Sequence, residues 1–265
     1  MSYNKDSSNL TDTKSSLKST GLLEFLVKSF IDYRSLDFKN NALLFISFVF
    51  LILALFFFEY SDFDLVVQNY FFDFSQKSWL VDKDEPIKKF IFYKFPKFLF
   101  AFILFVILAL IVLGCKNKNN FGKKNRNLLL LIFLGMSLIP LIAGNIKKFT
   151  NIYCPGQLAI YNGDKPYVRV FDSYPEGFVQ VKKGQCFPAG HAVTGFSLFI
   201  LFFALRQKNH KTLGLLIGLV YGWILGLYQM AKGVHFFSDT FMAMIICFII
   251  AALIAKIYFK FFEYD

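Results

Sequence analysis

The sequence predicts an all-α, polytopic membrane protein, and three observations predict it. Of its 265 residues, 56 % are hydrophobic and 18 % charged, where soluble domains average about 45–50 % apolar and roughly 25 % charged. Mean hydropathy is +0.50, and the apolar residues come in long uninterrupted runs. Lys and Arg gather in the short connections between those runs. Disordered, collagen-like and disulfide-scaffold classes are excluded by the same composition, in which Phe alone supplies 37 residues.

A spanning helix needs ~20 mostly apolar residues. Six segments are read as spans, at 42–58, 98–114, 128–144, 191–205, 213–231 and 237–259. The last two are separated only by 232–236, which predicts a tight helical hairpin. The spans make residues 41–265 one membrane domain, preceded by a tail over 1–40. That tail lacks a compact apolar run with a small-residue cleavage site, so no cleaved signal peptide is expected. Within it, Leu22, Leu23, Leu26, Val27, Phe30 and Ile31 recur at helical spacing. Two readings fit: an amphipathic helix at the cytoplasmic interface, or a helix packed on the bundle. Residues 64–75 suggest a second interfacial helix.

The loops set the orientation. Loop 115–127 carries Lys116, Lys118, Lys123, Lys124 and Arg126 without an acid, and loop 206–212 carries Arg206, Lys208 and Lys211, again without one. Cytoplasmic loops are enriched in such residues. Both termini are therefore expected inside, and 60–97, 146–190 and 232–236 outside. The net charge of +11 reads as topology, and no nucleic-acid partner is expected.

Ionisable groups at membrane depth mark function by default. His191 and His235 open the fourth and sixth segments, where free N–H groups and the helix dipole attract anions. Asp239 follows His235 by four residues, one turn further along the same face. A carboxylate there can accept the ring N–H and leave the other nitrogen with its lone pair. Spacing alone equally allows an ordinary helix start capped by Ser238 and Asp239. His191 lies in Pro188-Ala189-Gly190-His191, which taken alone also reads as a plain turn before a helix. Loop 146–190 holds six bases and three acids. The positive-inside rule disfavours that excess outside, so an anionic ligand explains it better, with lipid head groups as the alternative.

These pieces occur in a known order. Lys147 is followed by six residues and Cys154-Pro155, then by Pro188-Ala189-Gly190-His191, then by His235-Phe236-Phe237-Ser238-Asp239. The chain resembles the type 2 phosphatidic acid phosphatase superfamily of membrane lipid phosphatases, over about residues 95–259. Its pattern, K-x6-R-P, P-S-G-H and S-R-x5-H-x3-D, is matched with departures. Cys154 takes the place of the first Arg, Ala189 that of the Ser, and Tyr228-Gln229 that of the Ser-Arg pair. Lys148, Lys182, Lys183 and Lys232 are available substitutes for the absent guanidiniums, with Lys232 preferred.

The resemblance implies a two-step phosphoryl transfer. His235 is the nucleophile, Asp239 its orienting partner, and His191 the acid and then the base. Lys147, Lys148, Lys232, Gln229 and the Gly190 backbone N–H are the expected substrate-binding groups, with neither cofactor nor metal. It also implies a Cys154–Cys186 disulfide, while Cys115 and Cys247 look structural. The expected substrate is a lipid phosphate at the periplasmic face of a bacterial inner membrane. Candidates are lipid A, undecaprenyl pyrophosphate, phosphatidic acid and phosphatidylglycerol phosphate. Lys182 and Lys183 favour a large, multiply anionic head group such as lipid A. A phosphotransferase using undecaprenyl pyrophosphate as donor, and a non-catalytic lipid-binding or transport protein, are the alternatives.

Overall fold

The computed structural model describes residues 42–116, 120–205 and 207–262. The expected N-terminal tail and its amphipathic helix lie outside them, as do both chain ends. The helices run in the order α1 (Ala42–Tyr60), α2 (Phe63–Asn69), α3 (Pro86–Lys89), α4 (Phe95–Lys116), α5 (Asn120–Thr150), α6 (Gly190–Phe196), α7 (Ile200–Ala204), α8 (Lys208–Ala231) and α9 (Phe237–Phe261).

Among the described residues, five helical stretches are long and apolar enough to cross a bilayer. The fourth expected span is the run Gly190–Ala204, shorter than the others. It is broken between α6 and α7 by a tighter turn over Ser197–Phe199, where the Ser197 hydroxyl donates to the Thr194 carbonyl (2.7 Å). This segment can be short because it does not have to meet lipid along its length. Ala192, Val193, Phe196, Phe199, Ile200 and Phe203 are all buried inside the bundle.

Small residues make that burial possible. Helix α8 carries Gly214, Gly218, Gly222 and Gly226, one per turn. A Cβ on Gly222 would strike the Phe196 ring, and one on Gly218 the Phe199 ring. Helix α9 presents Ala243, Cys247, Ala251 and Ala255 at the same spacing, all buried. Lipid chains are as apolar as the helices, so association rests on such close packing. Helix α9 is central and touches α1, α5, α6 and α8. Helices α1 and α4 are peripheral: α1 buries only Ala54 among its described residues.

The segments 61–94 and 151–189 gather over one end of the bundle. Helix α2 is shorter than the expected 64–75 and turns its polar side inward. Asp64 and Gln68 are buried while Val66 and Tyr70 are exposed. Its continuation is a small antiparallel hairpin pairing Phe72–Asp73 with Ser78–Trp79. The Asp73 carboxylate starts that turn by accepting from the Ser75 and Gln76 amides (2.8 and 3.1 Å). The Phe72, Trp79, Tyr153, Tyr161 and Phe236 rings form an aromatic cluster under it.

Segment 61–94 is tied to the last turn of α8, and 151–189 to the connection 232–236 that follows it. Gln68 Nε2 and the Val81 amide donate to the Met230 and Ala231 carbonyls (both 3.0 Å). The Gly156 amide donates to the Gly233 carbonyl (2.7 Å). Gly233 has φ +73°, a left-handed conformation that suits glycine and lets the chain reverse within so few residues.

Candidate active site

The reversal at Gly233 delivers His235 directly onto the start of α9. His235 Nδ1 lies 3.3 Å from Asp239 Oδ2, and the same oxygen accepts the Phe236 amide at 2.8 Å. The carboxylate thus caps its helix and faces the imidazole at once, so the capping and catalytic readings of the spacing are not exclusive. His235 is 2 % exposed and Asp239 1 %. Burial holds the His235 ring neutral, pushing its pKa well below the usual imidazole range, and Lys147 and Lys232 push the same way. A neutral imidazole that hands its Nδ1–H to a carboxylate keeps a lone pair on Nε2.

The second histidine comes from the loop ahead of α6. The Ala189 amide donates to the Asp239 backbone carbonyl (3.0 Å), which docks residues 187–191 against the first turn of α9. His191 sits in the first turn of α6, with the Lys97, Lys147 and Lys232 cations near its ring. Its Nε2 is buried and has no hydrogen-bond partner among the described residues. The ring packs against Tyr93 with centroids 4.7 Å apart.

Cations surround this pair. Lys147 Nζ is held by the Gln185 and Cys186 carbonyls (3.3 and 3.4 Å). A Cβ on Gly190 would stand 3.2 Å from that ammonium, so glycine leaves Lys147 room beside the helix start. Lys232 is buried, with Nζ over the Tyr228 and Tyr93 rings at 4.9 and 5.1 Å. Burial lowers its pKa, and Lys89 and Lys97 add to the effect. Lys148 turns outward and donates to Asn145 Oδ1 (2.7 Å); the structure does not bring it to the cluster. Gln229 is 0 % exposed, and neither atom of its amide has a partner among the described residues. Cys154 and Cys186 are joined by a disulfide, with Cα atoms 5.0 Å apart.

Three contributors had no motif to announce them. Asp64 accepts the Ser238 amide at 2.8 Å and also the Ser238 hydroxyl, fixing the residue next to Asp239. Burial pushes the Asp64 carboxyl up to about 7 despite those hydrogen bonds, and the charge of Asp239 pushes in the same direction. Tyr93, in the turn Phe90–Lys94 just before α4, and Lys97, in the first turn of α4, enter together, with Lys97 Nζ 3.9 Å over the Tyr93 ring.

Residues 127–263 match the family model of the PAP2 superfamily, which is more than half of the chain. The chain belongs to the PAP2 superfamily. No curated protein and no solved structure matches it. Membership makes this a phosphatase-family chain, and the matched region contains both histidines, Asp239, Lys147 and the disulfide. Asp64, Tyr93 and Lys97 lie before it.

Proposed function

We propose that this PAP2 superfamily protein is a lipid phosphate phosphohydrolase working through a phosphohistidine. The observation that supports this best is the buried His235–Asp239 pair, 3.3 Å apart, with His191 and Lys147 grouped around it. In the first step His235 Nε2 attacks phosphorus and the P–O bond to the lipid breaks. Asp239 takes the positive charge that develops on the ring, and His191 protonates the leaving alkoxide. In the second step His191 takes a proton from water, whose oxygen displaces Nε2 and releases inorganic phosphate. Lys147, Lys232 and the Gly190 amide stabilise charge on the equatorial oxygens. The unpaired Gln229 amide occupies the position of the motif Arg and supplies a neutral donor there. Lysines hold phosphate as point charges without the guanidinium fork.

The substrate we favour has a large head group with more than one anionic group, of the lipid A class, at the periplasmic face of the inner membrane. A cleft of about 440 Å³ lined by Lys165, Lys182, Lys183, Gln157 and Gln185 supports this. Cys154 forms part of its wall, and the disulfide connects that wall to Cys186, which borders His235.

Purified protein incubated with a lipid phosphate and EDTA should release inorganic phosphate. His235→Ala should lose turnover by several orders of magnitude while keeping its helical circular dichroism. An active His235→Ala, or complete dependence on an added divalent metal, overturns the mechanism.

A further inference from the structure

The disulfide and the nucleophile share one small volume. Cys186 Sγ lies 3.3 Å from His235 Nδ1, and Cys154, Cys186 and His235 each offer a ligand atom within 4.8 Å of the other two. Zinc holds thiolates at about 2.3 Å and imidazole at about 2.0–2.1 Å in tetrahedral geometry. Its donors therefore stand ~3.5–3.8 Å apart, so once the S–S bond of about 2.05 Å is broken the two sulfurs must part by about 1.5 Å, with His235 Nδ1 already within 4.8 Å of both. Two sulfurs and one imidazole form a borderline-soft donor set that selects zinc-like ions over magnesium or calcium.

We propose that reduction of the Cys154–Cys186 disulfide creates a site for a zinc-class divalent cation, made by both sulfurs and His235 Nδ1, and that its occupation switches off phosphoryl transfer. A phosphine reductant breaks the S–S bond, takes one oxygen from water to become the phosphine oxide, and leaves two thiols. Metal binding then releases the two thiol protons to solvent. Access runs through the lysine-lined cleft, whose wall includes Cys154.

The consequence for chemistry is a tautomer switch. With Nδ1–H directed at Asp239, Nε2 has the lone pair that attacks phosphorus. With a cation on Nδ1, the ring proton resides on Nε2, and no lone pair faces the substrate. The inhibitory half of the proposal rests on His235 being the nucleophile; the metal site does not.

The full chain in detergent is reduced with a phosphine, desalted and titrated with Co²⁺, then Zn²⁺. The reduced chain should bind one Co²⁺ with a thiolate-to-cobalt charge-transfer band that Zn²⁺ bleaches, and the oxidised chain should show none. The visible ligand-field bands should shift in His235→Ala. Zinc should lower turnover of the reduced chain by about tenfold or more, with recovery on EDTA, and leave the oxidised chain unchanged. Absence of the charge-transfer band overturns the site, whether or not the reduced chain retains activity. A spectrum identical in His235→Ala removes the imidazole from the ligand set and overturns it as well. A cobalt site in a protein without turnover supports the site and refutes the phosphatase reading instead, so the two failures are distinguishable.

Discussion

His191 and His235 occupy the same polar cluster but are held differently, and their variants should fail differently. His235 touches Asp239 and Cys186, whereas His191 Nε2 has no protein partner among the described residues. A group left free for substrate is what a proton donor requires. His191→Ala should therefore lose about 10²–10⁴-fold in turnover of an alkyl phosphate. It should lose much less with an aryl phosphate whose leaving group departs unprotonated. Equal losses on both substrates, measured by phosphate release, would remove the acid role.

Asp64 supports a second prediction at the same scale. Its carboxyl titrates near 7 in the folded chain, above its ordinary 3.8, so the folded state binds a proton more tightly than the unfolded one. The stabilisation from that proton is complete below about 3.8. It is lost as pH rises through about 7. Thermal unfolding in detergent should show this decline between those limits, and Asp64→Asn should flatten it. Asp64→Ala, which leaves the buried Ser238 amide unpaired, should cost about 1–3 kcal/mol. None of this was legible in the sequence. Asp64 and Ser238 are 174 positions apart, and no local rule pairs an acid after the first span with a serine at the last. His235 and Asp239 were legible because helix periodicity alone places positions four apart on one face.

Among the elements, the long helices were the most legible, because a bilayer imposes length and apolarity on the sequence itself. The Gly190–Ala204 segment was read as one continuous span, and its break at Ser197–Phe199 left no local mark. Packing decides there: Phe196 and Phe199 are accommodated by Gly222 and Gly218 of α8. The four-residue glycine spacing in α8 was a readable sign of that contact. The two-residue strands around Ser75–Lys77 are too short to show an alternation. The glycine contact yields a further prediction. Gly222→Leu should drive α6 away from α8 and lower both thermal stability and activity, whereas Leu216→Ala on the exposed side of α8 should change neither by much. Thermal shift and phosphate release on the two variants make the comparison.

For the whole molecule, the charge distribution proposes an orientation. The connections 115–127 and 206–212 are rich in Lys and Arg and carry no acid, and such an excess marks the cytoplasmic side. A cysteine introduced at Lys182 should react with a membrane-impermeant maleimide in intact spheroplasts, while Cys115 should react only after lysis. The reverse pattern would place the site in the cytoplasm and exclude a periplasmic substrate. The disulfide belongs to this scale too, since it ties the segment after α5 to the loop before α6. Cys154→Ser should lower stability by about 3 kcal/mol, read from thermal unfolding of the oxidised chain.

The hydrogen bonds from Ser238 to Asp64 bear on how much of the chain the reaction requires. A fragment trimmed to the matched residues 127–263 would retain every motif residue yet leave the opening turn of its last helix without its remote acceptor. The shared family segment is thus not a portable enzyme. Part of its working geometry comes from outside it, because the acceptor that holds Ser238 in place is Asp64, which precedes the matched residues.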